Sequence, residues 1–228
     1  MDQQHTSSLL DLHARLLTLK LLPRTGWLQR GMTNVESIAE HTFSLVALAL
    51  LVGDQVPGID RGRVLSIALL HDIAEVLVGD LPYSARRLFG PAAKHNAERL
   101  AMLELLSGLP QSQADEYMAL WNEYEEGQSR EARLVKQLDR IEMLSQALAY
   151  ERAGSRATDE FWDGIEEGWS DEFPQVRSLV NRLIAEHNRL RGQSNGTVYA
   201  HSAHSGNGAE AFNGYAVNGV ATGEWVSG

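Results

Sequence analysis

The sequence predicts an all-α fold, a compact multi-helix bundle with a different kind of segment at its C-terminal end. Three observations predict it. Apolar residues recur at three- and four-residue spacing along most of the first 191 residues. No stretch alternates with period two for long, and no Asn-Gly turn joins two apolar runs.

The elements follow in order. Leu9, Leu12, Leu16 and Leu19 share one face of a helix expected from Ser8 to Leu22, which Pro23 stops. A loop covers 24–31. Ser37, with Glu40 three residues on, makes a capping box for a second helix that runs through His41 to about Val52. Asp60 can cap a third, expected through Leu65, Leu69 and His71 to about Leu77, and Gly79-Asp80-Leu81-Pro82 breaks it. Pro91 opens a helix to Leu106, where its missing N–H costs nothing. Ser112 to Glu126 gives another. Ser129 starts a long one to Arg152, stopped near Gly154. Two more are expected over Asp159–Glu167 and Pro174–Arg191. There is no internal repeat.

The expected organisation is therefore one domain over 1–191 and a tail over 192–228. The tail carries eight glycines and only two charged residues, Glu210 and Glu224. It has no periodicity and little to bury, so it reads as a flexible extension. Its aromatics Tyr199, Phe212, Tyr215 and Trp225 are scattered.

Composition bounds the function. The chain has 228 residues, a net charge of −10 and no cysteine. That excludes a disulfide scaffold, a thiolate metal site and a cysteine nucleophile. The negative charge argues against a polymeric nucleic acid as partner, since such binding needs basic patches against phosphates. The first ten residues are polar, unlike a signal peptide, and no apolar run reaches membrane-spanning length. A cytoplasmic protein is expected.

One local feature stands out. His71 and Asp72 are adjacent inside a leucine-rich helix, and Glu75 lies four and three residues further on, so the three can line one surface. Imidazole beside carboxylate suits a divalent cation, although a His–Asp pair that satisfies itself would leave the same pattern. His41 sits just after a capped helix start. Asp139 interrupts an apolar row between Val135 and Met143, and a buried carboxylate needs a partner or a metal. Arg140 or Arg133 could equally pair with it. Taken together, His41, His71, Asp72 and Asp139 would give four ligands from three helices, leaving room for water and substrate.

With these residues in view, the chain resembles the HD-domain phosphohydrolases, and more narrowly their 5′-deoxynucleotidase branch: the bacterial YfbR type and the eukaryotic HD-domain-containing protein 2 group. The matching stretches are 23–27, 36–41, 71–82, 120–125 and 135–143, in family order. The resemblance implies a metal-dependent phosphomonoesterase acting on deoxyribonucleoside or ribonucleoside 5′-monophosphates. It implies His41, His71, Asp72 and Asp139 as metal ligands, and nitrogen and oxygen ligands without sulfur suit Mn²⁺, Co²⁺, Mg²⁺ or Fe²⁺. Glu75 matches an acid near the metal-bound water, a general acid or base, and with Asp72 forms the implied catalytic pair. Glu75, Asp80 and the backbone at Leu81 match a second cation site or a nucleotide contact. Arg24 falls where a phosphate-orienting arginine is expected and Trp27 where an aromatic meets the sugar. Thr25 and Gly26 separate these two, whereas the bacterial branch has them adjacent, and Arg30 is an alternative phosphate contact. A homodimer is implied by resemblance alone.

Other readings stand beside this one. Di-iron oxygenases and cyclic-dinucleotide phosphodiesterases of the same fold need further histidines between the doublet and the last Asp, and His95 is the sole histidine there. A non-catalytic nucleotide-binding module is the third. His5, His13, His187, His201 and His204 are expected on the surface. Trp121, Tyr124, Trp162 and Trp169 are expected to pack.

Overall fold

The computed structural model describes residues 3–200, with side chains over 6–192. The side chains of His5 and Tyr199, together with His201, His204, Phe212, Tyr215 and Trp225, lie outside the described residues. The described residues are helical and contain no strand. An isolated bridge joins Pro23 to Ser37. None of the described helices is long and apolar enough to cross a membrane.

The helices are α1 (Gln3–Leu16), α2 (Thr25–Leu28), α3 (Ile38–Gly53), α4 (Arg61–Leu70), α5 (Glu75–Val78), α6 (Tyr83–Phe89), α7 (Pro91–Leu106), α8 (Gln111–Glu126), α9 (Arg130–Arg152) and α10 (Pro174–Ala200). The capping signals act as expected. Ser37 Oγ accepts from Glu40 N at 3.2 Å while Glu40 Oε2 accepts from Ser37 N at 2.7 Å, closing a full capping box. Asp60 and Ser129 cap α4 and α9 with single bonds to Arg63 N and Ala132 N.

Helix α9 is the axis of the bundle, packed against α3, α4 and α8. It buries Leu134, Val135, Leu138, Ile141 and Leu144, which meet Leu45, Ile67 and Phe173 in the larger core. A second core gathers Leu19, Ile38, Ile73, Met102, Leu106 and Trp121. Trp162 and Trp169 are buried, as their expected packing role requires.

Several elements differ from expectation, among them the loop over 24–31, which forms the short helix α2. The third helix does not run through His71 to Leu77: α4 ends at Leu70 and α5 restarts at Glu75. Between them the backbone tightens, with Ile73 N on Leu70 O and Glu75 N on Asp72 O, and the His71 ring bonds the Ala68 carbonyl that a continuing helix would use. The His-Asp doublet therefore stands at a helix end. Helix α6, which no sequence signal marked, buries none of its residues. The Asp159–Glu167 helix shrinks to a 3₁₀ turn over Asp159–Phe161, because Gly164 takes a positive φ of 64°. The first helix breaks at Leu16 into a 3₁₀ turn over Leu17–Lys20.

Candidate metal centre

Three helix positions converge. The capping box sets His41 in the first turn of α3, the tight turn aims His71 and Asp72 from the end of α4, and Asp139 projects from the middle of α9. His41, His71 and Asp139 each offer a ligand atom within 4.8 Å of the others. Asp72 Oδ2 lies 2.9 Å from His71 Nε2 and 3.7 Å from His41 Nε2, and Asp139 Oδ1 lies 3.2 Å from His41 Nε2.

The histidines are held from behind. His41 Nδ1 is 2.6 Å from Glu142 Oε2, and His71 Nδ1 donates to Ala68 O at 2.8 Å. These bonds occupy Nδ1 and leave Nε2 as the free face of each ring. Both Nε2 atoms are buried with no hydrogen-bond partner, and both face Asp72 or Asp139. Orphaned buried nitrogens among carboxylates, with no sulfur in the set, fit a hard or borderline divalent cation.

Electrostatics agree. Burial opposes charge on Asp72, but His71, Arg24 and His41 outweigh it and hold its carboxyl far below the ordinary value. Burial likewise opposes the Asp139 charge, and His41 overcomes it. Burial disfavours the His41 imidazolium, yet the carboxylates of Asp139 and Glu142 beside the ring raise its pKa to about 10. The cluster draws positive charge, and a metal binding there competes with that proton.

Tyr124 completes the frame. Its hydroxyl donates to Asp139 Oδ2 at 2.8 Å, which leaves Oδ1 for a ligand role, and its ring stands edge-on to His71 at 5.3 Å. The sequence marks Tyr124 only for packing and does not mark Glu142; the two lie inside the matching stretches 120–125 and 135–143. Outer partners of this kind usually contribute about 10- to 100-fold to metal affinity. Glu142→Ala and Tyr124→Phe are each expected to weaken Mn²⁺ binding by that order in calorimetric titration.

The cluster opens into a cavity of about 610 Å³ lined by Arg24, Glu75, Asp80, Leu81, Lys136 and Arg140 among others. Glu75 is buried and its Oε2 has no partner; burial and then the charges of Asp72 and Asp80 push its pKa well above the ordinary value. Arg24 Nη1 donates to Asp72 Oδ2 at 3.2 Å at the cavity edge. The backbone puts it there, since Arg24 N bonds Glu36 O and Ile38 N bonds Leu22 O. Asp80 accepts from Thr25 N at 2.5 Å, tying that loop to the turn after Gly79.

Two expected contacts stand elsewhere. Trp27 is 2% exposed, gives its Nε1–H to Glu36 Oε1 at 2.9 Å and packs on Phe161 and Tyr150. Its indole is core, not cavity wall. Arg30 turns to Glu160 at 2.5 Å and to the face of Phe161. His187, expected on the surface, stacks on Trp162 and bonds the buried Glu151, a partnership between residues far apart in sequence. His95 stacks on Trp121 outside the cluster.

Comparisons with known proteins identify the family. The HD domain family model matches residues 16–177. The 5′-deoxynucleotidase HDDC2 of Bos taurus is 36% identical, over 75% of this chain and 81% of that protein. A solved structure of a Pyrococcus horikoshii OT3 protein superimposes with a TM-score of 0.65 at 34% identity, covering 76% of this chain and 99% of its own. A predicted metal-dependent phosphohydrolase of Magnetospirillum magnetotacticum MS-1 gives a TM-score of 0.61 at 27% identity, covering 81% of this chain and 95% of its own.

Proposed function

The chain belongs to the HD-domain family, and from that premise we propose that it is a metal-dependent phosphomonoesterase, hydrolysing deoxyribonucleoside 5′-monophosphates to nucleoside and phosphate. The observation that carries this reading is the pair of buried, unpartnered Nε2 atoms of His41 and His71 beside Asp72 and Asp139, a cluster of which His71, Asp72 and Asp139 line a cavity. Relatives named as 5′-deoxynucleotidases support the substrate class.

His41, His71, Asp72 and Asp139 would hold the cation, one of Mn²⁺, Co²⁺, Mg²⁺ or Fe²⁺. A divalent cation there supplies Lewis-acid activation of water and neutralises phosphate charge. The chain's own residues do the rest. Arg24 binds a phosphate oxygen while Asp72 keeps its guanidinium aimed. Glu75, which lines the cavity and whose buried Oε2 has no partner, gives a proton to the departing 5′-oxygen. Glu75, Asp80 and Leu81 line the same cavity, where they would meet the nucleotide or hold a second cation. Glu142 and Tyr124 keep the His41 ring and the Asp139 carboxylate in register.

The test is phosphate release from ribo- and deoxyribonucleoside monophosphates with each of the four metals. Release from dAMP-type substrates that a chelator abolishes and added metal restores is expected. No release from any nucleotide with any metal would overturn the reading. The proposal includes a cytoplasmic homodimer with no polymeric nucleic acid as partner. Exposed Phe43, Leu51 and Leu69 on α3 and α4 support the dimer, and light scattering during gel filtration checks it.

A further inference from the structure

We propose that Lys136 is a substrate-binding residue of this site, its ammonium taking a non-bridging oxygen of the phosphate held over the His41–His71–Asp139 cluster. The proposal rests on the phosphomonoesterase reading and names a contact within it.

Lys136 precedes Asp139 by three residues on α9, so the two side chains share a face, and both line the same cavity. Its Nζ lies 4.3 Å from the centre of the Tyr124 ring, the ring whose hydroxyl holds Asp139. The far side of its stem is closed as well. Gly127 ends α8 with a φ of +63°, and a Cβ on it would stand 3.0 Å from Lys136 Cε and 3.3 Å from Cδ. The stem therefore runs between the end of α8 and an aromatic face, which fixes where the ammonium can point.

What the ammonium lacks is an anion. Other cations of the cavity wall are partnered: Arg24 with Asp72, Lys94 with Glu98 at 2.6 Å, and Arg140 with the Glu167 carbonyl at 2.7 Å and the face of Trp169. Arg86 and Arg87 project from the exposed α6. Among the described residues the Lys136 ammonium has its aromatic contact and no ion pair. A half-buried ammonium over a π face, set beside a site for an anion, is completed by that anion. The geometry also divides the labour. Arg24 stands on the Asp72 side of the cluster and Lys136 on the Asp139 side, so a phosphate between them is held from two directions.

The experiment uses the full-length, Mn²⁺-loaded protein, with inorganic phosphate as calorimetric probe and dAMP as substrate. Lys136→Met keeps the length of the stem and removes the charge. Its dissociation constant for phosphate and its KM for dAMP are expected to rise by about 10- to 100-fold, the range for losing one charge-assisted hydrogen bond. Its Mn²⁺ affinity should stay that of the parent, and Lys136→Arg should recover most of the phosphate affinity. A Lys136→Met protein with unchanged phosphate affinity and unchanged KM overturns the proposal, and a lowered Tm alone would assign Lys136 to packing on Tyr124. If Lys136→Met does not fold, Lys136→Gln is read in the same way. Should the parent bind Mn²⁺ and phosphate but release none from dAMP, the functional reading fails while the phosphate titration still decides the contact. A parent that binds no phosphate overturns the contact, while release from dAMP still decides the functional reading.

Discussion

Replacing Asp72 by alanine should lower kcat/KM for dAMP by about 10³ while the protein stays folded. The size follows from what one oxygen does. Asp72 Oδ2 lies 2.9 Å from His71 Nε2, 3.7 Å from His41 Nε2 and 3.2 Å from Arg24 Nη1. It is at once a candidate ligand, the counter-charge of the histidine pair and the group that aims the phosphate arginine. A metal's stabilisation of the transition state amounts to several kcal/mol, and each 1.36 kcal/mol is tenfold in rate, which gives about 10³. Asp72→Asn should lose nearly as much, because it keeps the volume but not the charge that Arg24 and the cation need. Stability should suffer less than activity. Asp72 sits among Glu75, Asp80 and Asp139, so removing one charge relieves repulsion even as it orphans Arg24. Steady-state kinetics beside circular dichroism and a Mn²⁺ titration separates these effects. Full activity in Asp72→Ala would end the phosphomonoesterase reading.

Part of this site is legible in the sequence and part is not, and the division is physical. Capping boxes, proline at a first turn and apolar rows act over about four residues, and each helix start they mark is where it should be, as at Ser37, Asp60, Pro91 and Ser129. The acid at 139 betrays itself because it breaks an apolar row. The end of α4 at the doublet is less visible, since its cause is the His71 ring competing for the Ala68 carbonyl, an event of side-chain orientation rather than of composition. Helix α6 escapes because it buries nothing and so needs no apolar face. The residues that hold the ligands are invisible for another reason. Glu142 supports His41 across 101 positions, and Tyr124 reaches Asp139 from a different helix, so only the fold brings them together. The Arg24–Trp27 loop is the instructive miss. The two intervening residues let a short helix form over Thr25–Leu28, which sends Arg24 to the cavity and the indole of Trp27 into the core.

That placement makes Trp27 a test of packing against binding. Trp27→Ala should cost about 3–5 kcal/mol, the usual price of emptying a buried aromatic site. For a domain of this size that is a fall in Tm of roughly 6–20 °C. The enzyme that remains folded should keep its KM for dAMP, because the indole faces Phe161 at 4.2 Å and Tyr150 at 5.1 Å rather than the cavity. Trp27→Phe isolates the hydrogen bond to Glu36. Burial first, and then the charge of Glu142, raises the Glu36 pKa to about 7, and the Trp27 N–H pulls it down from a still higher value. A carboxyl raised in the folded state contributes stability that is fully present below its unfolded value and is lost as pH rises through its folded value. Without the indole donor that loss continues to higher pH. The Tm deficit of Trp27→Phe against the parent should therefore be smallest near pH 4.5 and widen as pH climbs past 7. A Tm deficit that is flat with pH would show that Glu36 does not depend on this bond. A Trp27→Ala protein with the parent's Tm and a raised KM would return the indole to the substrate.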